Sequence, residues 1–268
     1  MYKKGKTSIA KQFRREHPHL NIIIHLLLMI MVLITCTFII GNRLLQNQNG
    51  FPQKSSASEV TVKEKKDAVQ LGQLSNSEDD WKLLLVNPWN YVPEDLSITL
   101  TQLRNGQAVD ERCYPDLQDM MDDCRAAGLN PLICSSYRSI EKQERLYQNK
   151  VNKLISQGYS RKKAETEAAK SVALPGTSEH QLGLAVDIVD KSYQHLDTRQ
   201  EKTEVQKWLM KNSWKYGFIL RYPNNKSDIT GIIYEPWHYR YVGKEAAQEI
   251  YEQDICLEEY LEQMAEDI

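Results

Sequence analysis

The apolar positions of this chain fall into distinct textures. From Ile22 to Ile40 the run IIIHLLLMIMVLITCTFII carries no formal charge and has the length a helix needs to cross the hydrocarbon layer of a bilayer. Residues 41–80 are polar and charged with few aromatics, a composition that cannot bury enough surface to order itself, and they read as a stalk. From Trp81 onward apolar residues recur with the periods of helices and strands. KLLLVNPWN predicts a buried strand closed by Pro88. PDLQDMMDDCRAAG spaces Leu117, Met120, Met121 and Cys124 as one face of a helix with Pro115 in its first turn and Gly128 at its stop. PLICSSYRS predicts a strand, and Ser139 caps a helix with a stripe through Ile140, Tyr147, Val151, Leu154 and Ile155. Ser160 opens a further helix with Ala164, Ala168 and Val172 on one side, ended by Pro175-Gly176. LGLAVDIVD is a strand, and TEVQKWLMKNSWKYG a helix with Val205, Trp208 and Leu209 inward. FILRY and IIYEPWHYRYV supply two more strands around the polar turn PNNKSD. The acidic helical tail after Lys244 reads as a solvated outer face. Without regular βαβ alternation the fold class is α+β, a mainly antiparallel sheet with flanking helices.

Charge adds an orientation. Lys plus Arg number 34 against 36 Asp plus Glu, so the chain has no broad cationic field and nucleic acid is not an expected partner. The basic residues Lys3, Lys4, Lys6, Lys11, Arg14 and Arg15 nevertheless crowd ahead of the apolar run, which by the positive-inside rule keeps residues 1–21 in the cytoplasm. Residues 22–40 are then a single-pass anchor in the cell membrane, 41–80 the stalk, and 81–268 an extracellular domain. A cleaved signal peptide is the competing reading; the run is long for one, and no A-x-A site follows it. LITC, ending in Cys36, is a poor lipoprotein site because TFII continues the apolar run. Cys113, Cys124, Cys134 and Cys256 lie outside the span, where disulfides persist; nothing in their spacing selects a pairing, and small buried hydrophobes are an equally good reading.

Candidate chemistry gathers around two of the histidines. Asp187 lies inside the apolar strand LAVDIV, where an unpaired carboxylate is costly, so it needs a cation: an arginine or a metal. His180 stands seven residues earlier, ahead of a turn, and EPWHY brings Glu235 and His238. Two imidazoles and a carboxylate, with a position left for water, form the ligand set of a catalytic zinc site, and a further carboxylate is then available as general base. A regular strand puts Glu235 and His238 on opposite faces; Pro236 is placed to break that pleat.

SSYRS at 135–139, SEHQLGLAVD at 178–187 and EPWHYRYVG at 235–243, in this order, resemble the D-alanyl-D-alanine carboxypeptidases of the VanY type. These are zinc peptidases grouped with the D-Ala-D-Ala dipeptidases and lysostaphin-like enzymes. The resemblance spans about Leu83 to Gly243. It implies a zinc site in a cleft on the sheet, with His180, Asp187 and His238 as ligands and Glu235 as catalytic base. It gives Arg138 to the oxyanion of the scissile carbonyl, Gln143 and Ser178 to the terminal carboxylate of the peptide, and Tyr137, Glu179 and Gln181 to the shape of the cleft. Gly183 is a backbone requirement near the ligands. The substrate so implied is the peptidoglycan stem peptide, and residues 81–268 become a zinc D,D-carboxypeptidase domain. The alternatives are an L,D-carboxypeptidase acting on tetrapeptide stems, a strict dipeptidase, and a wall-binding module that has lost catalysis.

Overall fold

A computed structural model describes residues 80–266; the basic tail, the candidate span 22–40 and the stalk up to residue 79 lie outside the described residues. Among the described residues no helix is long and apolar enough to cross a membrane. The elements run α1 (Asp80–Leu83), β1 (Leu100–Gln102), β2 (Ala108–Asp110), α2 (Tyr114–Ala126), β3 (Pro131–Ser135), α3 (Ile140–Ser156) and α4 (Arg161–Ala169). A 3-10 turn (Glu179–Leu182) then leads into β4 (Ala185–Asp190). It is followed by α5 (Glu204–Asn212), β5 (Phe218–Leu220), α6 (Ser227–Thr230), β6 (His238–Tyr241), α7 (Lys244–Gln253) and α8 (Leu257–Glu266). The class is the expected α+β: β1 and β2 form a hairpin, and a 4-stranded antiparallel sheet has the order β3-β4-β6-β5.

The period of two along the strands divides the sheet into an apolar face and a charged face. Val186 and Ile188 of β4, Tyr239 and Tyr241 of β6, and Phe218 of β5 point into the main core with Leu117, Met120, Met121 and Cys124 of α2 and Val205 and Leu209 of α5. The alternate positions face the other way: Asp187 stands opposite His238, Ala185 opposite Arg240, and Arg240 opposite Ile219. Helices α3 and α4 pack on one another through Tyr147, Val151, Ala164 and Ala168, with Ser139 and Ser160 capping their first turns. The stripe expected on α3 holds except at Ile140, which is exposed.

Several expected elements differ. KLLLVNPWN is not a strand; after the turn of α1 its backbone serves Arg240 instead of a ladder, the carbonyls of Lys82 and Leu84 each accepting from Nη2 at 2.9 Å. The last strand begins only at His238, because Pro236 lacks an N–H and residues 231–237 run as loop, and the polar turn PNNKSD ends in the helical turn α6. The acidic tail is not a solvated face. Its helices α7 and α8 bury Ala246, Ala247, Ile250, Leu257, Tyr260 and Leu261 in a second core that also takes Ile219 and Val242 from the sheet. The hairpin β1–β2 was not foreseen, although Asn105-Gly106 between alternating residues signals it, and Gly106 adopts φ 78° at its turn. Cys113, Cys124, Cys134 and Cys256 are all free. Burial pushes the Cys113, Cys134 and Cys256 thiols up to about 12, which fits their reading as small hydrophobes.

Gly183 is a tight point in the scaffold next to the site. Its φ of 71° ends the 3-10 turn, its carbonyl accepts from the Asp110 N–H at 2.9 Å, and a Cβ there would meet that same nitrogen at 2.9 Å. Gly183→Ala is therefore expected to cost about 2 kcal/mol, from left-handed backbone strain and the displaced contact. Urea unfolding of the variant beside the parent chain measures it.

Candidate active site

Each member of the site is delivered by a different local rule. The 3-10 turn carries Glu179 and His180. The Nδ1 of His180 lies 2.9 Å from the carbonyl oxygen of Ser136, which turns Nε2 toward Asp187 Oδ2 at 3.4 Å. Strand register sets Asp187 beside His238, whose Nδ1 lies 3.1 Å from Asp187 Oδ1. The other nitrogen of His238 reaches Glu179 Oε2 at 3.4 Å. Glu235 precedes the strand, and the turn at Pro236-Trp237, closed by the His238 N–H on the Glu235 carbonyl at 3.1 Å, folds its side chain back to the same side. Glu235 Oε2 stands 4.0 Å from His238 Nδ1. The pleat is broken where Pro236 led one to expect it.

His180, Asp187 and His238 offer ligand atoms that all lie within 4.8 Å of one another, and all three side chains are buried. Tetrahedral zinc with bonds of about 2.0–2.2 Å separates its ligands by roughly 3.4 Å; the histidine–aspartate distances of 3.4 and 3.1 Å run to the two different oxygens of Asp187, and one ligand atom from each residue gives a set within 4.8 Å, which a bound ion would draw together. The distal nitrogens are held by a backbone carbonyl and by a carboxylate, the support that metal-ligating histidines require. The donor set therefore fits a divalent zinc ion.

The ionisation of the group follows from burial and neighbours. Burial and then the Arg138 charge lower His180 to about 4. Burial works against charge on His238 too, but hydrogen bonds to Asp187 and Glu179 outweigh it and hold that ring up at about 9. Asp187 is held well below the usual carboxylate range by His180, His238 and Arg138 in spite of its burial. Burial pushes Glu235 up to about 8. Glu179 is depressed by Arg221 and Arg240 against the cost of burial.

The alternative partner for Asp187, an arginine, is also present. Arg138 Nη2 donates to Asp187 Oδ2 at 2.6 Å, its Nε to Ser135 Oγ at 2.9 Å and its Nη1 to Gln143 Oε1 at 3.3 Å. A cleft of about 340 Å³ opens over these groups, lined among others by Arg138, Ser178, Glu235, Tyr222 and Trp237. Gln143 and Tyr137 do not line it. Gln143 is fully buried behind Arg138 and gives its amide to the Ala173 carbonyl at 2.7 Å, so in this structure it supports the arginine and is not presented to a ligand. Glu179 likewise is no cleft wall but a buried anion. A larger groove of about 750 Å³ between α2 and β3 holds no metal-ligating cluster among the described residues and is set aside as the site of chemistry.

Behind the histidine–aspartate cluster lies a charge network that the sequence reading missed. Glu179 Oε1 accepts from Arg221 Nε at 2.7 Å and Arg240 Nη1 at 2.9 Å, and Arg221 grips Glu258 of α8 through Nη1 at 2.8 Å and Nη2 at 2.7 Å. Both arginines are fully buried. Their signal was visible: FILRY and HYRY carry arginines in apolar strands, as LAVDIV carries its aspartate.

The chain is similar to known proteins of one family. The D-alanyl-D-alanine carboxypeptidase from Enterococcus faecalis (strain ATCC 700802 / V583) is 42% identical over 233 residues, which cover 84% of this chain and 85% of that one. The solved structure of VanYB in complex with D-Alanine-D-Alanine has a TM-score of 0.64 at 48% identity, covering 68% of this chain and 98% of that one. The D,D-pentapeptidase VanY from a VanB-type resistance cassette, solved as a mutant in complex with Zn(II), has a TM-score of 0.63 at 49% identity, covering 68% and 99%. The family profile of VanY, D-alanyl-D-alanine carboxypeptidase, matches residues 106–244, a stretch that holds all the residues converging on the cleft. By motif, fold and overall similarity alike, the chain belongs to the VanY family of D-alanyl-D-alanine carboxypeptidases.

Proposed function

We propose that this chain is a zinc-dependent carboxypeptidase that removes the C-terminal D-alanine from peptidoglycan stem peptides, held at the outer face of the cell membrane by residues 22–40. The observation that carries it is the convergence of His180, Asp187 and His238 within 4.8 Å, with Glu235 beside them in the cleft. The anchor rests on the uncharged run and the basic residues before it, and an outside position matches a substrate that lies in the wall.

His180 through Nε2, His238 through Nδ1 and Asp187 would hold the metal. A zinc ion bound there supplies Lewis acidity at the peptide carbonyl, lowers the pKa of water to about 7, and by its charge favours the carboxylate form of Glu235. Glu235 takes a proton from the attacking water and returns it to the amine of the departing D-alanine. Arg138 presents its remaining N–H groups to the oxygen of the scissile carbonyl, where negative charge develops. Its bonds to Ser135, Gln143 and Asp187 fix the guanidinium before substrate arrives, so no reorganisation is needed during reaction. Ser178 lines the cleft and is assigned to the terminal carboxylate of the peptide.

Metal analysis of the purified protein is expected to give one zinc per chain, and a chelator is expected to abolish release of D-alanine, with recovery on adding zinc. Mass analysis of products from penta- and tetrapeptide stems decides the specificity. Loss of one alanine from the pentapeptide supports the D,D reading; loss from the tetrapeptide alone replaces it with the L,D one. A chain that binds zinc and cleaves neither is a wall-binding module.

A further inference from the structure

The cleft contains a second cation that the proposed chemistry leaves unused. Lys150 lies on α3 one turn after Leu146, and both line the cleft alongside Arg138 and Glu235. The helix itself gives Lys150 no counter-charge: the residues three and four away are Tyr147, Leu146, Lys153 and Leu154. Lys226 pairs with Glu259 at 2.8 Å and Lys244 with Asp116 at 2.7 Å, whereas among the described residues no carboxylate lies within ion-pair distance of Lys150, whose charge is felt by Glu235 across the cleft. Arg138 is the other arginine or lysine of the cleft, and it is paired with Asp187 at 2.6 Å.

The rim around this ammonium is apolar. Leu146, Ile233 and Leu196 line the same cleft and stand 37%, 44% and 48% exposed. A peptide lying across them removes water from around Lys150, and an ion pair formed there gains strength as the local dielectric falls. A carboxypeptidase substrate is anionic by definition at its free C-terminus, and a stem peptide also carries a carboxylate farther from the scissile bond.

We infer that Lys150 is a specificity residue, its ammonium pairing with a carboxylate of the peptide seated between the apolar rim and the metal-ligating group. This rests on the reading of the cleft as a peptide site. The carboxylate is either the terminal one of the departing residue or the internal one of the stem, and the two are separable by experiment.

Lys150→Gln is expected to raise KM about tenfold, corresponding to about 1.4 kcal/mol, with kcat changed by less than about twofold. Zinc content is expected to stay at that of the parent. Binding is then measured by calorimetry to two non-turning-over proteins, Glu235→Ala and Glu235→Ala with Lys150→Gln. The probes are the free stem pentapeptide, the same peptide amidated at its C-terminus, and the same peptide amidated at its internal carboxylate. Amidation of the paired carboxylate weakens binding about tenfold to the first protein and leaves the second unchanged, which identifies the source. If both amidations weaken the two proteins equally, or if Lys150→Gln leaves KM and Kd where they were, Lys150 has no such role. A parent chain that neither binds nor cleaves the free pentapeptide overturns the reading of the cleft itself, a result distinct from an active parent whose Lys150→Gln variant is its equal.

Discussion

Glu235→Ala is expected to bind zinc as the parent chain does and to lose roughly 10²- to 10⁴-fold in kcat, the range that a positioned general acid–base supplies. The expectation follows from where Glu235 sits. Its carboxylate is buried at the cleft, 4.0 Å from His238 Nδ1, outside the set of three ligand atoms that lie within 4.8 Å of one another. Removing it therefore leaves the metal's donors and their supports in place: Ser136 on His180 and Glu179 on His238. Burial, which raises this carboxyl to about 8, marks a group whose charge is expensive unless a cation stands near, and that is the condition for a base that must both accept and return a proton near neutral pH. Glu235→Gln tests the same point without opening a cavity. It preserves the side chain's volume and is expected to be nearly as inactive as the alanine variant. Metal analysis and single-turnover kinetics on both decide it. Retention of more than about a tenth of the parent kcat in either variant assigns the proton transfer elsewhere; loss of zinc with loss of activity makes Glu235 a ligand instead.

The cluster at the cleft was more legible in the sequence than the scaffold behind it. Asp187 announced itself because a carboxylate in an apolar strand has to be balanced, and the structure balances it with the two histidines and Arg138 together. Pro236 announced the break that returns Glu235 to the side of His238. What stayed hidden was the long-range pairing. Arg221 and Arg240 obey the same rule as Asp187, but their partner Glu179 sits beside a ligand in the SEHQLG motif and was taken for a cleft residue, and Glu258 lies in a tail whose acidity looked like a solvated surface. Periodicity tells that α8 has two faces; it does not tell that its apolar face meets Val242 and Ile219 of the sheet, which brings Glu258 to Arg221. Gln143 shows the same limit, since nothing local reveals that its amide is used up by Arg138 and the Ala173 carbonyl. KLLLVNPWN failed as a strand because its carbonyls are bonded by a side chain, a competitor to the ladder that pattern alone does not show.

That hidden network carries the largest stability effect. Glu179→Ala is expected to lower unfolding free energy by about 3–5 kcal/mol, the cost of leaving a buried charge without its partner. The loss falls on Arg240 more than on Arg221. Arg221 keeps both oxygens of Glu258, whereas Arg240 is paired with Glu179 alone among the described carboxylates and retains only the carbonyls of Lys82, Leu84 and Tyr241. Against a typical total of about 5–15 kcal/mol, that loss is a large share of the stability. Charge, and not the lost volume, is the cause, so removing the orphan as well should recover part of the loss: the double variant Glu179→Leu with Arg240→Met is expected to be more stable than Glu179→Ala. The same carboxylate orients the ring of His238, so zinc affinity is expected to fall about 10- to 100-fold in both variants, including the one whose stability recovers. Urea unfolding of the zinc-free proteins, followed by zinc titration of those that fold, separates the two effects. An alanine variant within about 1 kcal/mol of the parent means that water or a shifted Arg240 takes over the role of Glu179. Unchanged zinc affinity in the recovered double variant means that the ligand geometry of His238 is fixed by the strand alone.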